Sequence, residues 1–196
     1  MNKGFNMDLS YIKSVSEPKD YFLKTKCPYI RIQSYMQKGP TCGLALCSML
    51  INHLTGQQPD LLKMARELHM TVEGEIFSND YLAILLEMNN VKAKVVDWPD
   101  ANEFDADCVH IVAYDKDKDN SPTQNNGNSA HWAMIVGKSE DYLITMHAAS
   151  HFLSEWNFSE LKRSNMQLFE PKECPNWEKN RDLLKRVRGK LVKVYF

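Results

Sequence analysis

The 196-residue sequence lacks several features that would assign it to a special class of protein. It has no apolar run long enough to span a bilayer, and its N-terminal stretch contains no signal-peptide core. The formal net charge is −1, so no excess of one sign favours nucleic acid or an anionic membrane. These absences predict a cytoplasmic protein without nucleic-acid or membrane partners.

Cysteine is scarce, and its number is odd. The chain has five, at Cys27, Cys42, Cys47, Cys108 and Cys174. They form no Cys-x-x-Cys pair and no compact disulfide framework, so we expect reduced thiols and no metal cofactor. A zinc site remains the alternative, because His147 and His151 lie four residues apart and Cys42 and His131 could join them.

The chain also lacks internal repeats and any linker that would divide it. A hydrophobic content of 43% suits one globular core. Residues 1–30 are weakly patterned, and we expect them to form a loosely ordered arm before a single domain over residues 31–196.

Helices are predicted first and strands later along the chain. Apolar residues at helical spacing indicate helices from Cys42 until Gly56 stops the run, then over 59–70 and 78–90. β-Branched or alternating runs indicate strands over 91–98, 108–114, 131–137 and 141–147. Further predictions are a solvated, mobile loop in the charged half of 115–130, a helix over 157–165, a strand over 166–170 and a closing strand pair or one long strand over 187–196. This order is typical of an α+β fold.

The stretch QKGPTCGLALCSML, Gln37 to Leu50, places a thiol at the start of a predicted helix. Unpaired backbone N–H groups and the helix dipole favour an anion there, and the thiolate is the nucleophilic form of cysteine. Gly43 leaves room for a substrate backbone to approach. The alternative is a buried structural cysteine, which suits Cys47 and Cys108 well.

Two further residues complete a candidate catalytic site. The amide N–H₂ of Gln37, beside the backbone N–H of Cys42, can bind the oxyanion of acyl transfer, although a surface glutamine is the simpler alternative. His131 opens an apolar strand, where it can project into a cleft shielded by Trp132 and exchange a proton with the thiol. Taken alone, a histidine in this position is more often structural than catalytic. Together the three residues indicate a cysteine nucleophile.

These residues resemble the motifs of the actin maturation protease family, which is similar to papain-like cysteine peptidases. The pattern Gln-x-Gly-Pro-x-Cys-Gly-Leu stands here as QKGPTCGL, and HWAMIVG resembles the family's His-Trp-Ala strand. SNMQL, at Ser164 to Leu168, resembles its Ser-Asn-x-Gln-Leu segment.

The resemblance implies a papain-like α+β fold, with Cys42 as the nucleophile, His131 as the general acid and base, and Gln37 as an oxyanion donor. It implies an aminopeptidase that removes the acetylated first residue, a Cys or Met, from immature actin. It also implies that no cofactor is needed.

Several alternatives stay open at this point. The chain could be a papain-like isopeptidase or endopeptidase with another substrate, or an inactive relative that binds actin. The strand after His131 ends near His147 and offers no Asn or Asp to orient the imidazole, so that role is unassigned. Lys38, with Lys92 and Lys94, is a candidate for holding an acidic substrate N-terminus, the alternative being a solvated turn residue.

Overall fold

The structure is a computed structural model that describes residues 12–14, 23–104, 107–148, 150–168 and 186–196. Its helices are α1 (Cys42–Thr55), α2 (Leu61–Glu67), α3 (Asn79–Glu87) and α4 (Phe158–Met166), with one 3-10 turn at Ala101–Glu103. Its strands are β1 (Ile12–Ser14), β2 (Tyr35–Gln37), β3 (Ala93–Asp97), β4 (Cys108–Lys116), β5 (Pro122–Thr123), β6 (Ala130–Ser139), β7 (Tyr142–His147), β8 (Ser154–Asn157) and β9 (Lys190–Tyr195).

The described strands form one large antiparallel sheet and one small one. The large sheet has the order β3-β9-β4-β6-β7-β8, with β5 paired to the end of β4. The small sheet pairs β1 with β2, also antiparallel. The predicted α+β class is confirmed, and so is its expected layout, with a cysteine at a helix start packed on an antiparallel sheet that carries the histidine.

The large sheet lies between two apolar layers, because successive side chains of a strand point to opposite faces. One face packs against α1 and α3 through residues that include Ala113, Trp132 and Met134. The other packs against α4 through residues that include Tyr114 and Ala133. Successive side chains of β4 and β6, the two central strands, therefore point alternately into these two layers.

Local capping explains where the helices begin and end. Gly56, at φ 71°, ends α1 in the left-handed conformation, as predicted. Ser78 caps α3 by accepting a hydrogen bond from the Tyr81 N–H at 3.4 Å. Asp60 caps α2 by accepting from the Lys63 N–H at 3.0 Å, so that helix begins after Pro59 rather than at it. α1 differs from both, because its N-terminal residue Thr41 makes no side-chain cap hydrogen bond.

Two predicted elements differ from the structure. The strand expected over 166–170 is wrong at its start: Met166 ends α4 and Gln167 forms a turn, while residues 169 and 170 lie outside the described residues. The polar segment after Tyr114 is not all solvated loop, since Asp115 lies fully buried in β4 and β5 pairs back onto that strand. Of the two forms predicted for 187–196, a strand pair or one long strand, the described residues contain a single strand, β9.

The start of the chain is described in part. β1 pairs with β2, and the Ile30 N–H donates to the Val136 carbonyl at 2.9 Å, so residues before the helices contact the large sheet. The boundary between an arm at residues 1–30 and one domain at 31–196 stays a prediction. Among the described residues, no helix combines the length and apolar character needed to cross a bilayer.

Candidate active site

Cys42 is the first residue of α1, and its thiol lies half-buried against the sheet. The first turn of α1 has no acidic residue and no side-chain cap, so its backbone N–H groups are open to other acceptors. The backbone N–H groups of Trp132, Gly43 and Cys42 itself hydrogen-bond to the thiol. The cysteine therefore sits where the start of α1 meets β6.

Burial raises the pKa of the Cys42 thiol to about 11, although those backbone hydrogen bonds act to lower it. The nearby carboxylate of Glu75 adds to the rise. We expected the helix start to lower the pKa of the thiol. That expectation is wrong, because desolvation raises the pKa by more than the N–H donors lower it. At neutral pH the group is a thiol, and attack on a substrate needs a base.

Gly43 is buried, and its neighbours account for the absence of a side chain. A Cβ there would lie 3.1 Å from Leu82 Cδ2 and 3.2 Å from Trp132 Cδ1. The space beside Gly43 is thus filled by the protein's own side chains, which differs from the expected room for a substrate backbone. Its role in substrate binding stays a prediction.

His131 is the second residue of β6 and is 5% exposed. It pairs across the strands with Tyr114, and their ring centroids lie 5.9 Å apart. Its ring is on the sheet face opposite Trp132, so the thiol reaches β6 at the backbone immediately after His131. Burial, followed by the charges of His147 and Lys116, lowers the pKa of His131 to about 3. The imidazole is therefore neutral, and its buried Nε2 has no hydrogen-bond partner.

His147 ends β7, the strand paired with β6, and it lies near the position where we predicted no Asn or Asp to orient His131. Its ring centroid lies 6.1 Å from that of His131, and its other side stacks on Trp156 at 6.0 Å. Burial lowers the pKa of His147 to about 4, and its Nδ1 has no hydrogen-bond partner. The two imidazoles are neighbours without a direct hydrogen bond, so the group that orients His131 stays unassigned.

The zinc alternative can be compared with this geometry. Within the described ranges, no group of three or more His, Cys, Asp or Glu side chains is arranged to hold a metal ion. The His151 ring lies against that of Phe152, tilted by 44° with ring centroids 4.7 Å apart.

Gln37 is the last residue of β2 and lies close to His147. Its backbone N–H donates to the carbonyl of Ala148, the residue after His147, at 2.9 Å. Its side-chain Nε2 donates to the Gly39 carbonyl at 2.8 Å, and its Oε1 is buried without a partner. Because an amide N–H₂ has two hydrogens, one remains for another acceptor. Lys38 follows as an exposed residue of the turn.

Sequence patterns gave no indication of the segment Thr71–Phe77, which the fold brings to the start of α1. A Cβ at Gly74, which has φ 129°, would lie 2.6 Å from Thr41 Cγ2, so only glycine allows this approach. The Ile76 carbonyl accepts a hydrogen bond from Trp132 Nε1 at 2.7 Å. Glu75 lies between these two anchors. The positive φ of Gly74 marks a turn, but nothing local in the sequence places that turn beside Cys42.

The structure separates the other proposed lysines from this end of the sheet. The ammonium groups of Lys92 and Lys94 lie 5.0 and 5.5 Å from the ring centroid of Tyr195. Tyr195 pairs with Cys108, six residues along β4 from the Tyr114 that faces His131. Six residues of strand span roughly 20 Å, so Lys92 and Lys94 are too distant to hold a residue next to the scissile bond.

Comparison with known proteins gives a consistent family assignment. Residues 32–139, more than half of the chain, match the family described as actin maturation protease-like, C-terminal domain. The chain is 35% identical over 171 residues to the actin maturation protease of Drosophila melanogaster, covering 78% of this chain and 62% of that protein. It is 28% identical over 120 residues to the actin maturation protease of Xenopus tropicalis, covering 54% and 39%. The chain thus spans less than two thirds of the length of these relatives.

Two solved structures are also similar, at low identity. One is a double glycine motif protease from an AMS/PCAT transporter in complex with the leader peptide, with TM-score 0.49, 13% identity, and coverage of 93% of this chain and 100% of that one. The other is a C39-like peptidase from Bacillus anthracis, with TM-score 0.44, 12% identity, and coverage of 93% and 98%. These two likenesses are too weak to add to the assignment, which rests on the family match. By that match, the chain belongs to the actin maturation protease-like family.

Proposed function

We propose that the chain is a cysteine aminopeptidase that removes the acetylated N-terminal Cys or Met from immature actin. One observation carries the catalytic part of the proposal. A thiol at an uncapped helix start meets β6 at the backbone that follows His131, a neutral, buried histidine whose Nε2 has no partner, and Gln37 reaches the same end of the sheet. Buried polar atoms without partners are costly, by about 1–3 kcal/mol each, and their concentration here indicates a site kept for a ligand.

In the proposed first half-reaction, the Cys42 sulfur attacks the carbonyl carbon of the first peptide bond, and His131 takes the thiol proton. The carbonyl oxygen becomes an oxyanion, bound by the Cys42 backbone N–H and the remaining N–H of Gln37. The intermediate collapses as the C–N bond breaks, and His131 gives its proton to the departing amine, which is the new N-terminus of actin.

In the second half-reaction, the acetylated residue is held as a thioester on Cys42. A water molecule attacks the thioester carbonyl while His131 accepts its proton, and the same two N–H donors stabilise the second oxyanion. When the C–S bond breaks, the sulfur recovers a proton from His131 and the acetylated amino acid leaves. The cycle returns both groups to their neutral forms without a cofactor.

The substrate part of the proposal rests on the relatives, both of which are named actin maturation protease. Exposed Lys38 lies in the turn that leads to Cys42, and we propose that it holds the acidic residues that follow the cleaved one. Trp132, which contacts both Gly43 and the Thr71–Phe77 segment, would form the wall against which the first side chain rests.

The test is mass spectrometry of immature, acetylated actin incubated with the wild-type chain or with Cys42→Ala. The wild type is expected to remove one acetylated residue, and Cys42→Ala to leave the mass unchanged. Cys27→Ala is the matched control, because Cys27 is also half-buried with its thiol hydrogen-bonded to a backbone carbonyl, and it should retain full activity.

The remaining outcomes separate the alternatives. Cleavage of an internal or isopeptide bond with no change at the N-terminus would favour another papain-like peptidase, and a stable actin complex without any cleavage would favour an inactive binder. Acidic and neutral acetylated peptides test Lys38. Lys38→Glu should raise KM for the acidic peptide alone, and equal effects on both would contradict its role.

A further inference from the structure

Asp115 is a fully buried carboxylate near the end of β4, outside the set of groups that the proposed reaction uses. In the β4–β6 register it lies opposite Ala130, while its neighbour Tyr114 lies opposite His131. The chain leaves β4 after Lys116 and enters β6 at Ala130 after a polar loop. Asp115 therefore lies at the point where the two ends of that loop come together.

The carboxylate accepts four hydrogen bonds from groups around it. Three come from backbone N–H groups of the returning loop: Asn125 at 3.0 Å and Gly127 at 2.7 Å to Oδ2, and Ser129 at 3.0 Å to Oδ1. The fourth comes from Gln167 Nε2, at 2.6 Å to Oδ2. Such donors stabilise a charge that burial would otherwise penalise heavily. Asp115 therefore holds three of the residues that immediately precede β6.

The segment at the end of α4 holds Asp115 in turn. The Asp115 N–H donates to Ser164 Oγ at 2.9 Å, and that hydroxyl donates to the Asp115 carbonyl at 3.1 Å. Gln167 adds a second connection, because its Oε1 accepts from the Asn126 N–H while its Nε2 donates to Asp115. The Ser-Asn-Met-Gln run noted in the sequence is thus a clamp on the loop that leads into β6.

The loop is held in place by hydrogen bonds rather than by apolar packing. Its residues 117–129 contain no large apolar side chain that could anchor it in either core. Its other connections to the sheet are the pairing of β5 with the end of β4, the Lys116 N–H that donates to the Ser129 carbonyl at 3.1 Å, and the Tyr114 hydroxyl that donates to the Asn120 carbonyl at 2.9 Å. The β4–β6 ladder and the loop that Asp115 organises therefore together set the start of β6, one residue before His131.

We infer that Asp115, clamped by Ser164 and Gln167, is a positioning residue that fixes His131 relative to the Cys42 thiol. The inference rests on the proposed role of His131 as the base. A displacement of about 1 Å at a reacting group can lower a rate by about 100-fold, so a loop contact of this kind affects catalysis without touching the substrate.

The same segment supplies a control. Asn165 lies between the two clamp residues but bonds elsewhere: its Nδ2 donates to the carbonyls of Ala113 at 2.9 Å and Val187 at 3.3 Å, and its Oδ1 accepts from the Gly189 N–H at 2.7 Å. Asn165→Ala therefore removes buried hydrogen bonds to β4 and to the approach of β9, and none to the loop before His131.

The experiment measures acylation of Cys42 by p-nitrophenyl acetate, a simple acyl donor that does not depend on peptide recognition. The variants are Asp115→Asn, Asn165→Ala and His131→Ala, with the ring signals of His131 followed by NMR in histidine-labelled protein. Asp115→Asn keeps the shape of the side chain but turns an amide N–H₂ toward a backbone N–H. We expect it to slow acylation about 10-fold or more and to shift the His131 signals.

Asn165→Ala is expected to lower stability while changing acylation less than about 3-fold and leaving the His131 signals in place. If Asp115→Asn fails to fold, Gln167→Met replaces it, since Gln167 is half-buried and Met is similar in shape but lacks the polar atoms. It should slow acylation about 3-fold, with a matching shift of the His131 signals.

The two proposals fail in different ways. If His131→Ala slows acylation but neither Asp115→Asn nor Gln167→Met does so more than Asn165→Ala, the positioning role is overturned and the catalytic proposal survives. If His131→Ala reacts as fast as wild type, the base is not His131, and both the catalytic proposal and this inference are overturned.

Discussion

At the scale of residues, the two groups proposed to exchange a proton, the Cys42 thiol and the His131 imidazole, are both uncharged. Burial raises the pKa of Cys42 and lowers that of His131, so both the thiol and the imidazole are uncharged near neutral pH. Without a bound substrate, transfer of the proton would leave a thiolate and an imidazolium in a low-dielectric interior, and both ions would carry a desolvation penalty. The proton therefore moves during attack, when the oxyanion donors are engaged.

This neutral pair predicts an unusual pH profile. We expect acylation of Cys42 by p-nitrophenyl acetate to be flat from about pH 5 to about pH 9. It should fall in more acidic solution as His131, with its pKa near 3, takes up a proton, and rise toward the thiol pKa of about 11 as the thiolate itself reacts. Stopped-flow release of nitrophenol, followed at its isosbestic wavelength, measures the rate.

His131→Ala provides the comparison for that profile. Without the base only the thiolate reacts, so the rate should rise about tenfold per pH unit through the neutral range. Carrying both measurements in a Cys27→Ala background removes the second half-buried thiol. A bell-shaped wild-type profile centred near neutrality would instead indicate a preformed thiolate–imidazolium pair.

At the scale of elements, the site depends on close packing where α1 meets β6 and the segment Thr71–Phe77. Trp132 contacts Gly43 on one side and donates its indole N–H to Ile76 on the other. The indole therefore has little freedom to move away from the helix. Since the Trp132 backbone also hydrogen-bonds to the thiol, packing at this junction sets the position of the nucleophile.

Gly43→Ala tests this junction. In an exposed helix the change would stabilise by up to about 1 kcal/mol, but here the new methyl group would press on Trp132 and Leu82 at 3.1–3.2 Å. We expect a net loss of about 1–3 kcal/mol in urea unfolding, together with slower acylation of Cys42.

The double variant Gly43→Ala, Leu82→Ala is the matched control for that change, because the smaller residue vacates part of the space. Its loss of stability should be smaller than the sum of the two single losses. An unchanged or increased stability for Gly43→Ala alone would contradict the packing argument.

At the scale of the whole molecule, the sheet buries ionisable groups as well as apolar ones. His131 and His147 are 5% and 2% exposed, at the same end of the sheet. In the folded protein their pKa values are about 3 and 4, against an ordinary value of 6.5. Folding therefore keeps both imidazoles neutral in a range where the unfolded chain would protonate them.

Global stability should accordingly depend on pH. Between pH 6.5 and about 4 the unfolded state binds more protons than the folded state. The contribution of the two histidines to the free energy of unfolding is therefore complete above pH 6.5 and decreases as the solution is acidified. Two protons set a limiting slope of about 2.7 kcal/mol per pH unit. Stability should also decline above pH 9, where the unfolded thiol ionises before the buried one.

Urea unfolding over a pH series measures this dependence. His131→Gln and His147→Gln should each reduce the acid slope by about one proton. If neither variant changes the slope, other groups control acid stability and the two histidines are not buried in neutral form.

The sequence predicted the elements that local patterns encode. Helical spacing indicated α1 from Cys42, and Gly56 ends it in the left-handed conformation for which glycine is suited. β4, β6 and β7 were expected from their apolar runs. Short strands were missed, because three or four residues such as Tyr35–Gln37 or Ser154–Asn157 carry too little periodicity to be recognised.

The sequence by itself determined family membership and the α+β class, and it predicted the three residues of the candidate site, since each depends on residue type, spacing or motif. Only the tertiary structure decided that Asp115 is buried rather than solvated and that Glu75 lies near Cys42. It also decided that the thiol keeps its proton. Desolvation and hydrogen bonds between residues distant in the chain depend on which surfaces pack together, and no local run of sequence contains that information.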